Sequence, residues 1–219
     1  AVTTDGDPVG TANDNNGNGF NLSALADTGV RPTYETATGL HWLEFTGDDI
    51  LRRTAQLTMF SGGQATIALS IRHAASAQGV VISEGNSSTT LQRYTPGRQN
   101  AADLNDVEIV AVRDDGVSML NNKALYDEGF PTDTDVTLII TDSGTAVRAW
   151  SDGVAGTSQA YDNARGTTTL NLFGLGGRVR SVPDNYYIGR IYRAVVYNYV
   201  MDATEIANMD TCLKATQGR

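Results

Sequence analysis

Cysteine and histidine are scarce in this 219-residue sequence, which contains one Cys and two His. Because a disulfide needs two cysteines, no intrachain disulfide can staple the fold, and a packed core must hold it together. The lone thiol, Cys212, lies in a helical stretch near the C-terminus, where a small buried hydrophobe is its expected role. A nucleophilic cysteine needs a histidine and a carboxylate or amide around it, and His41 and His73 provide little for that purpose.

Positive charge and long apolar runs are also in short supply. Lys and Arg number 16 against 25 Asp and Glu, which gives a formal net charge of −9. An acidic chain lacks the basic footprint that neutralises phosphates, so no nucleic-acid partner is expected, and an anionic bilayer surface is disfavoured. No run approaches the roughly 18 apolar residues of a membrane span, and the first residues are polar, so neither membrane insertion nor a signal peptide is expected.

Glycine and short alternating segments are what the sequence has instead. With 23 Gly among 219 residues, it suits one all-β domain of many short strands joined by tight turns. Apolar and polar residues alternate along much of the chain, which predicts half-buried strands, and Asp142-Ser143-Gly144 predicts a hairpin between two of them. The predicted strands are residues 65–72, 79–83, 89–95, 107–113, 136–141, 146–151, 167–173 and 187–200.

The hydrophobic period changes near the C-terminus. Asp202 and Glu205 stand three residues apart, the spacing of a helix-capping box. Ile206, Met209 and Leu213 then follow at positions i, i+3 and i+7, which predicts an amphipathic helix of about three turns. We expect these three side chains to pack onto the outer face of a sheet.

The stretch 40–51 reads Leu-His-Trp-Leu-Glu-Phe-Thr-Gly-Asp-Asp-Ile-Leu, a strand that leaves its sheet through an acidic corner. It resembles the L-x-F-x-G-x-D-D-x-L signature of laminin-G-like, concanavalin A-like sandwich domains. The Gly/Asn-rich run at 14–19 and the run 189–206 resemble other parts of the same pattern. The resemblance implies an all-β, two-sheet antiparallel jelly-roll sandwich with one C-terminal helix.

Two further segments resemble a subgroup found in structural proteins of bacteriophages and phage-like particles. They are Arg-Pro-Thr-Tyr at 31–34 and the closing stretch 212–218, in which Cys212 stands where that subgroup has Trp. The resemblance implies that residues 1–219 form a single domain. Because the family pattern starts further upstream, we expect this domain to be part of a longer chain or N-terminally incomplete.

Residues 178–199 concentrate arginine and tyrosine in an otherwise acidic chain. Apolar sugar faces stack on aromatic rings while Arg binds hydroxyls or uronic carboxylates, so this stretch is the leading candidate for glycan recognition. Loop residues are favoured over strand residues, because a tyrosine on a strand can fill the core. The predicted ligand-binding residues are Arg178, Arg180, Tyr186 and Tyr187 as exposed loop side chains, and Tyr126 in a second surface loop, 121–135, with Asn122, Lys123, Asp127 and Phe130.

Two acidic loops provide oxygen ligands of the kind that Ca²⁺ prefers, with Asp14 in one and Asp48 and Asp49 in the other. Asx residues also cap turns with their own backbone, so no cofactor is expected and calcium is kept as an alternative. Asp106 and Glu108 are the nearest match to the paired carboxylates of sandwich glycosidases. No third carboxylate follows, and Glu108 is expected to face solvent, so the domain is expected not to be an enzyme.

The resemblance implies a non-enzymatic virion surface module, in a tail fibre or head spike, that binds glycans of the host envelope. Its partners would be host surface polysaccharide and other virion structural proteins, and it would act as a homo-oligomer at the extracellular surface of the particle. One alternative is a structural or decoration module that contacts only other virion subunits. A polysaccharide-degrading enzyme is a more distant alternative. The choice among these functions depends on the residues of the site, because this fold serves lectins, hydrolases and structural modules alike.

Overall fold

The computed structural model describes residues 4–24, 31–55, 57, 59–74, 79–99, 103, 106–127 and 131–219. Nearly all regular structure in these residues is β-strand, and no helix among them is long and apolar enough to cross a membrane. In chain order the elements are β1 (Asp7–Pro8), β2 (Thr11–Ala12), β3 (Leu22–Ala24), β4 (Thr33–Ala37), β5 (Leu40–Thr46), β6 (Leu51–Arg53), β7 (Ala65–His73), β8 (Ile82–Gly85), β9 (Arg93–Gln99), β10 (Val107–Val112), β11 (Ser118–Tyr126), β12 (Asp135–Asp142), β13 (Ala146–Ser151), β14 (Val154–Ala155), β15 (Gln159–Ala160), β16 (Leu172–Leu175), β17 (Ile188–Tyr197) and the helix α1 (Ala203–Ala215).

These strands form two antiparallel sheets. The nine-stranded sheet has the order β1-β4-β5-β17-β7-β12-β13-β14, with β15 also paired to β13, and the eight-stranded sheet has the order β11-β10-β9-β8-β16-β6-β3-β2. Neighbouring strands are often distant in sequence, since β17 lies between β5 and β7. The predicted fold class, a two-sheet antiparallel sandwich with one C-terminal helix, is confirmed.

The main core lies between the two sheets, because alternate side chains of each strand point to the facing sheet. Phe45 and Ile67 enter this core from the nine-stranded sheet, and Ile82 and Ile109 enter it from the eight-stranded sheet. All four side chains are fully buried or nearly so. Each sheet therefore keeps a second, outer face, and what covers that face differs between the two sheets.

The helix α1 covers the outer face of the nine-stranded sheet. The central strands β7 and β12 are buried on both faces, which corrects the prediction of half-buried strands. Their outward side chains, including Ala68 and Ile139, contact Ile206 and Leu213 of α1, with Met209 beside them. The predicted docking of the helix is confirmed, and it accounts for the second buried face.

Asp202 begins α1, as its spacing to Glu205 predicts. The Asp202 carboxylate accepts hydrogen bonds from the amides of Thr204 at 2.8 Å and Glu205 at 2.9 Å. In return, the Asp202 amide donates to the Glu205 carboxylate at 2.9 Å. These bonds satisfy amides that have no partner inside the helix, so the predicted capping box is confirmed.

Cys212 is exposed, so the expectation of a buried hydrophobe is wrong. Its neighbour Leu213 is fully buried against the sheet. Consecutive residues of a helix point about 100° apart, so the burial of Leu213 turns Cys212 toward solvent.

Candidate functional site

The loop between β16 and β17 crosses the outer face of the eight-stranded sheet. After β16 the chain turns back at Gly176, where φ is +83°. Ser83 of β8 holds the loop, because its hydroxyl donates to the Gly177 carbonyl at 2.8 Å and accepts from the Val179 amide at 2.9 Å. A Cβ at Gly85 would lie 1.8 Å from the Val179 carbonyl oxygen, so this close crossing requires glycine.

A small apolar cluster packs this loop onto the sheet. Val179 is buried against Ile50 and Leu172, and the half-buried Tyr186 ring packs against the same cluster. The Tyr186 hydroxyl also donates to the Pro183 carbonyl at 3.2 Å. The loop is therefore a packed part of the fold, and its polar side chains start from a well-held backbone.

Arg178 and Arg180 of this loop share one carboxylate. Arg178 donates through Nε to Asp184 Oδ1 at 2.6 Å and through Nη2 to Asp184 Oδ2. Arg180 also donates through Nη2 to Asp184 Oδ2, and through Nε to the Val182 carbonyl at 2.9 Å. The side chains of Arg178 and Arg180 keep 13% and 22% of their surface exposed. Both are therefore more buried than the sequence analysis predicts for exposed loop residues.

Two arginines of β9 lie beside this pair. Arg98 forms an ion pair with Glu108 at 2.9 Å and donates to Asn122 Oδ1 at 3.1 Å. Arg93 donates to the Leu91 carbonyl at 3.1 Å and has no carboxylate partner within the described part of the chain. The Nε atoms of both arginines are buried and have no hydrogen-bond acceptor among the described residues.

The positive charges of these four arginines lie close together on the outer face of the eight-stranded sheet. Burial is the main reason that the pKa values of Arg93 and Arg98 are lowered, and repulsion from Arg178 lowers both further. Arg180 adds to the effect on Arg93. Four guanidinium groups thus share two carboxylates, which leaves a positive patch in a chain whose net charge is −9.

Two exposed apolar side chains border the four arginines. Leu91 is 56% exposed and Val182 is 68% exposed, and their carbonyls accept the hydrogen bonds from Arg93 and Arg180. The arrangement combines N–H donors with apolar contact area, and a sugar ring uses both. We call this set the arginine surface: Arg93, Arg98, Arg178 and Arg180, with Leu91 and Val182.

Strand alternation alone does not reveal that Arg93 and Arg98 belong together. Residues five apart on a regular strand point to opposite faces. Here Gly97 adopts φ +66°, and the β9–β10 ladder shifts register between Glu108 and Val110, so Arg98 returns to the face of Arg93. Glycine inside a strand pattern often marks such a bulge, and it is the one signal in the sequence that could have indicated this face.

Tyr187 does not belong to the arginine surface. It is fully buried in the main core beside Phe45 and His73, so the prediction of an exposed loop residue is wrong. The Tyr187 amide donates to the Gly176 carbonyl at 2.9 Å. This hydrogen bond holds Tyr187 in a strand-like segment directly before Ile188, the first residue of β17. Successive residues of such a segment point to opposite sides, so Tyr186 stays on the outer side while Tyr187 enters the core.

Tyr126 lies in a separate cleft, so the structure does not bring it together with Arg178 and Arg180. The cleft has a volume of about 500 Å³ and lies where the end of β11 meets the β14–β15 edge of the other sheet. Asp106, Asp127 and Gln159 line it with Tyr126. Its lining is acidic, in contrast to the arginine surface.

The segment before Tyr126 is strand, which corrects the predicted loop at 121–135. Strand β11 continues to Tyr126, and Asn122 and Lys123 are part of it. Lys123 forms an ion pair with Asp162, and Asn122 Oδ1 accepts a hydrogen bond from Arg98. Phe130 lies outside the described residues.

The two calcium candidates are turns closed by hydrogen bonds of their own backbone. The Asn16 amide donates to Asp14 at 2.9 Å and is the main cause of the lowered pKa of Asp14. Buried Asp49 accepts from the Thr46 amide at 2.5 Å and from its hydroxyl at 2.8 Å, while Asp48 is exposed. Across the described ranges, no three His, Cys, Asp or Glu side chains gather as a metal site would need.

Glu108 is 1% exposed, so the prediction that it faces solvent is wrong. Burial raises the pKa of Glu108, and the ion pair with Arg98 lowers it in part. Asp106 lines the Tyr126 cleft instead. The carboxylates of Asp106 and Glu108 therefore lie in different surroundings. They do not form the facing pair that glycoside hydrolysis requires.

No family model matches the sequence, and no curated protein matches it. Among solved structures, the CBM40 domain of the Ruminococcus gnavus IT-sialidase bound to α2,3-sialyllactose is similar with a TM-score of 0.60 and 16% identity, covering 77% of this chain and 96% of that domain. Domain 4 of AbnA, an extracellular GH43 arabinanase from Geobacillus stearothermophilus, in complex with arabinotriose, has a TM-score of 0.58 and 13% identity, over 82% of this chain and 81% of that domain. NanB, in a structure with Optactamide, has a TM-score of 0.60 and 12% identity over 75% of this chain.

These similarities show the fold, a β-sandwich that the sialidase CBM40 domain and domain 4 of AbnA also have. The chain covers 27% of the length of NanB, so it corresponds to one part of that larger protein. At such low identity, the site residues of this chain must be argued from its own structure.

Proposed function

We propose that this chain is a non-catalytic glycan-binding module and that the arginine surface is its binding site. The observation that supports this best is the gathering of four half-buried arginines beside the exposed side chains of Leu91 and Val182. A sugar supplies hydroxyl acceptors for the exposed N–H groups of the arginines and an apolar ring face for the two aliphatic side chains. Like charges held together at a cost in stability are typical of functional sites.

The fold supports this proposal. Similar domains have been solved with α2,3-sialyllactose and with arabinotriose, so a sandwich of this type is able to present a glycan site. In this chain the site is built on strand β9 and on a loop packed against β8, which positions its donors more firmly than a free loop would.

The surroundings of the carboxylates support a non-catalytic role. Glycoside hydrolysis needs two carboxyl groups on either side of one bond. Glu108 is paired with Arg98, Asp184 is shared by Arg178 and Arg180, and each therefore serves to hold an arginine in place.

At a finer level, we propose that the module acts at the surface of a phage or phage-like particle and engages host-envelope polysaccharide. This part is supported by the sequence resemblance of residues 31–51 and 212–218. A single sugar site is weak, so attachment would depend on many copies, which a homo-oligomer in a virion provides. A decoration module that contacts only virion subunits is the alternative, and it predicts that a neighbouring subunit covers the arginine surface.

The experiment is a binding screen of the purified chain on immobilised neutral and acidic glycans. We expect retention of at least one class, and a loss of about tenfold in affinity for Arg180→Gln, the cost of one charged hydrogen-bonding group. Arg193→Gln is the matched control, because Arg193 is an exposed arginine on the nine-stranded sheet.

Three outcomes would contradict the proposal. Failure to retain any glycan would argue against the binding function, and equal losses with Arg180→Gln and Arg193→Gln would argue against the site. Release of new reducing ends from a retained polysaccharide would show that the module is catalytic. For the finer proposal, wild-type adsorption of particles that carry Arg180→Gln would favour the decoration module.

A further inference from the structure

The four guanidinium groups of the arginine surface are unequally paired. The two loop arginines bind Asp184, and Arg98 binds Glu108. Arg93 binds only a backbone carbonyl within the described part of the chain, that of Leu91. Among the described residues, a carboxylate partner is therefore in place for every arginine of the surface except Arg93.

Arg93 also stands at the centre of the surface. Its cross-strand neighbours are Gly85 on β8 and Val112 on β10. The loop crosses directly over Gly85, so Arg93 lies between that loop and strand β10. Repulsion from Arg98, Arg178 and Arg180 acts on Arg93, and the attraction of Asp184 offsets it only in part.

A negatively charged ligand group would relieve this arrangement, and a neutral one would not. The planar fork of a guanidinium matches the two oxygens of a carboxylate, and such charge-assisted pairs are about twice as strong as neutral hydrogen bonds. A ligand carboxylate near Arg93 would also balance the repulsion among the four arginines. Exposed Leu91 and Val182 at the border favour a ligand that carries the acid on a sugar ring over a bare inorganic anion.

We infer that the arginine surface selects glycans that carry a carboxylate, and that Arg93 binds the acid group. The inference rests on the proposed glycan-binding function and adds the chemical class of the ligand. Uronic acids and sialic acids share this chemistry, so the experiment must include both sources.

The test compares two acidic polymers, polygalacturonate and polysialate, with their methyl-esterified forms in titrations of the purified chain. We expect each acid that binds to do so at least about tenfold more tightly than its ester, because the ester removes a charged hydrogen bond. The difference should shrink as salt is raised, since screening weakens the ion pair. Which of the two polymers binds identifies the source of the carboxylate.

Arg93→Gln should abolish the preference for acid over ester, so that acid and ester bind this variant with equal affinity. Among the described residues, removal of Arg93 breaks no ion pair with a carboxylate, so the melting temperature should stay at the wild-type value, which separates a ligand effect from a folding defect. Arg193→Gln is again the control and should keep the full preference. Arg93→Lys keeps the charge but loses the fork, and we expect it to restore only part of the preference.

Equal affinity for acid and ester, or an acid preference that persists in Arg93→Gln, would overturn the inference. In either case the binding to glycans would still be measured, so the proposed function would stand. If the wild-type chain binds neither these polymers nor any neutral or acidic glycan of the screen, the proposed function fails, and the inference fails with it.

Discussion

The packing of α1 on the nine-stranded sheet can be tested at Leu213. Leu213 is fully buried and packs with Ile206 against Ala68 and Ile139. Leu213→Ala removes buried methyl groups and leaves a cavity, because the capped helix and the sheet can close around it only in part. We expect a loss of about 2–4 kcal/mol in the free energy of unfolding. In a chain of this length that corresponds to a fall of about 4–16 °C in Tm.

The assay is urea unfolding followed by tryptophan fluorescence, since Trp150 packs against the same cluster. The midpoint should fall while the slope of the transition stays constant, which indicates a change in stability alone. Cys212→Ala, at the exposed neighbouring position, is the control and should change stability by less than about 0.5 kcal/mol. If Leu213→Ala costs no more than Cys212→Ala, the helix does not pack on the sheet in this way.

Two further predictions concern pH and metal removal. Burial, the largest influence on Asp152, raises its pKa, but hydrogen bonds from Arg219 and the Thr137 amide outweigh it, so the pKa of Asp152 is lowered. A pKa that is lowered in the folded state adds stability above the unfolded-state pKa of about 3.9, and that stability is lost as pH falls. Asp152→Asn should therefore destabilise the chain near pH 7 and much less near pH 2, as measured by urea unfolding. A difference in unfolding free energy between variant and wild type that does not change with pH would refute this. Because backbone groups occupy Asp14 and Asp49, EDTA should leave Tm unchanged, whereas stripping a tight calcium site would remove roughly 3–4 kcal/mol and lower Tm by several degrees.

Features that depend on neighbouring residues were determined by the sequence itself. The capping box at Asp202 and Glu205 and the hairpin turn at Asp142 and Gly144 each involve groups within three positions of one another, so their spacing predicts them. Alternating apolar residues and glycine-rich turns likewise indicate a sandwich of short strands. Arg178 and Arg180 were predicted as binding residues by the same kind of reasoning, because a local excess of arginine is visible in an acidic chain, and their role stays a prediction.

Which side chains are buried, and which meet, was decided by the tertiary structure. Alternation gives a strand two faces but does not say what covers either one, so Glu108 and the outer face of β7 were expected at a surface and are buried. Tyr186 and Tyr187 lie on opposite sides of the sheet, because successive residues of an extended segment point in opposite directions. Arg93 meets the loop arginines only because that loop crosses β8, which depends on contacts between segments far apart in the chain, while the bulge at Gly97 turns Arg98 to the same face. Such contacts leave no spacing in the sequence from which they could be predicted.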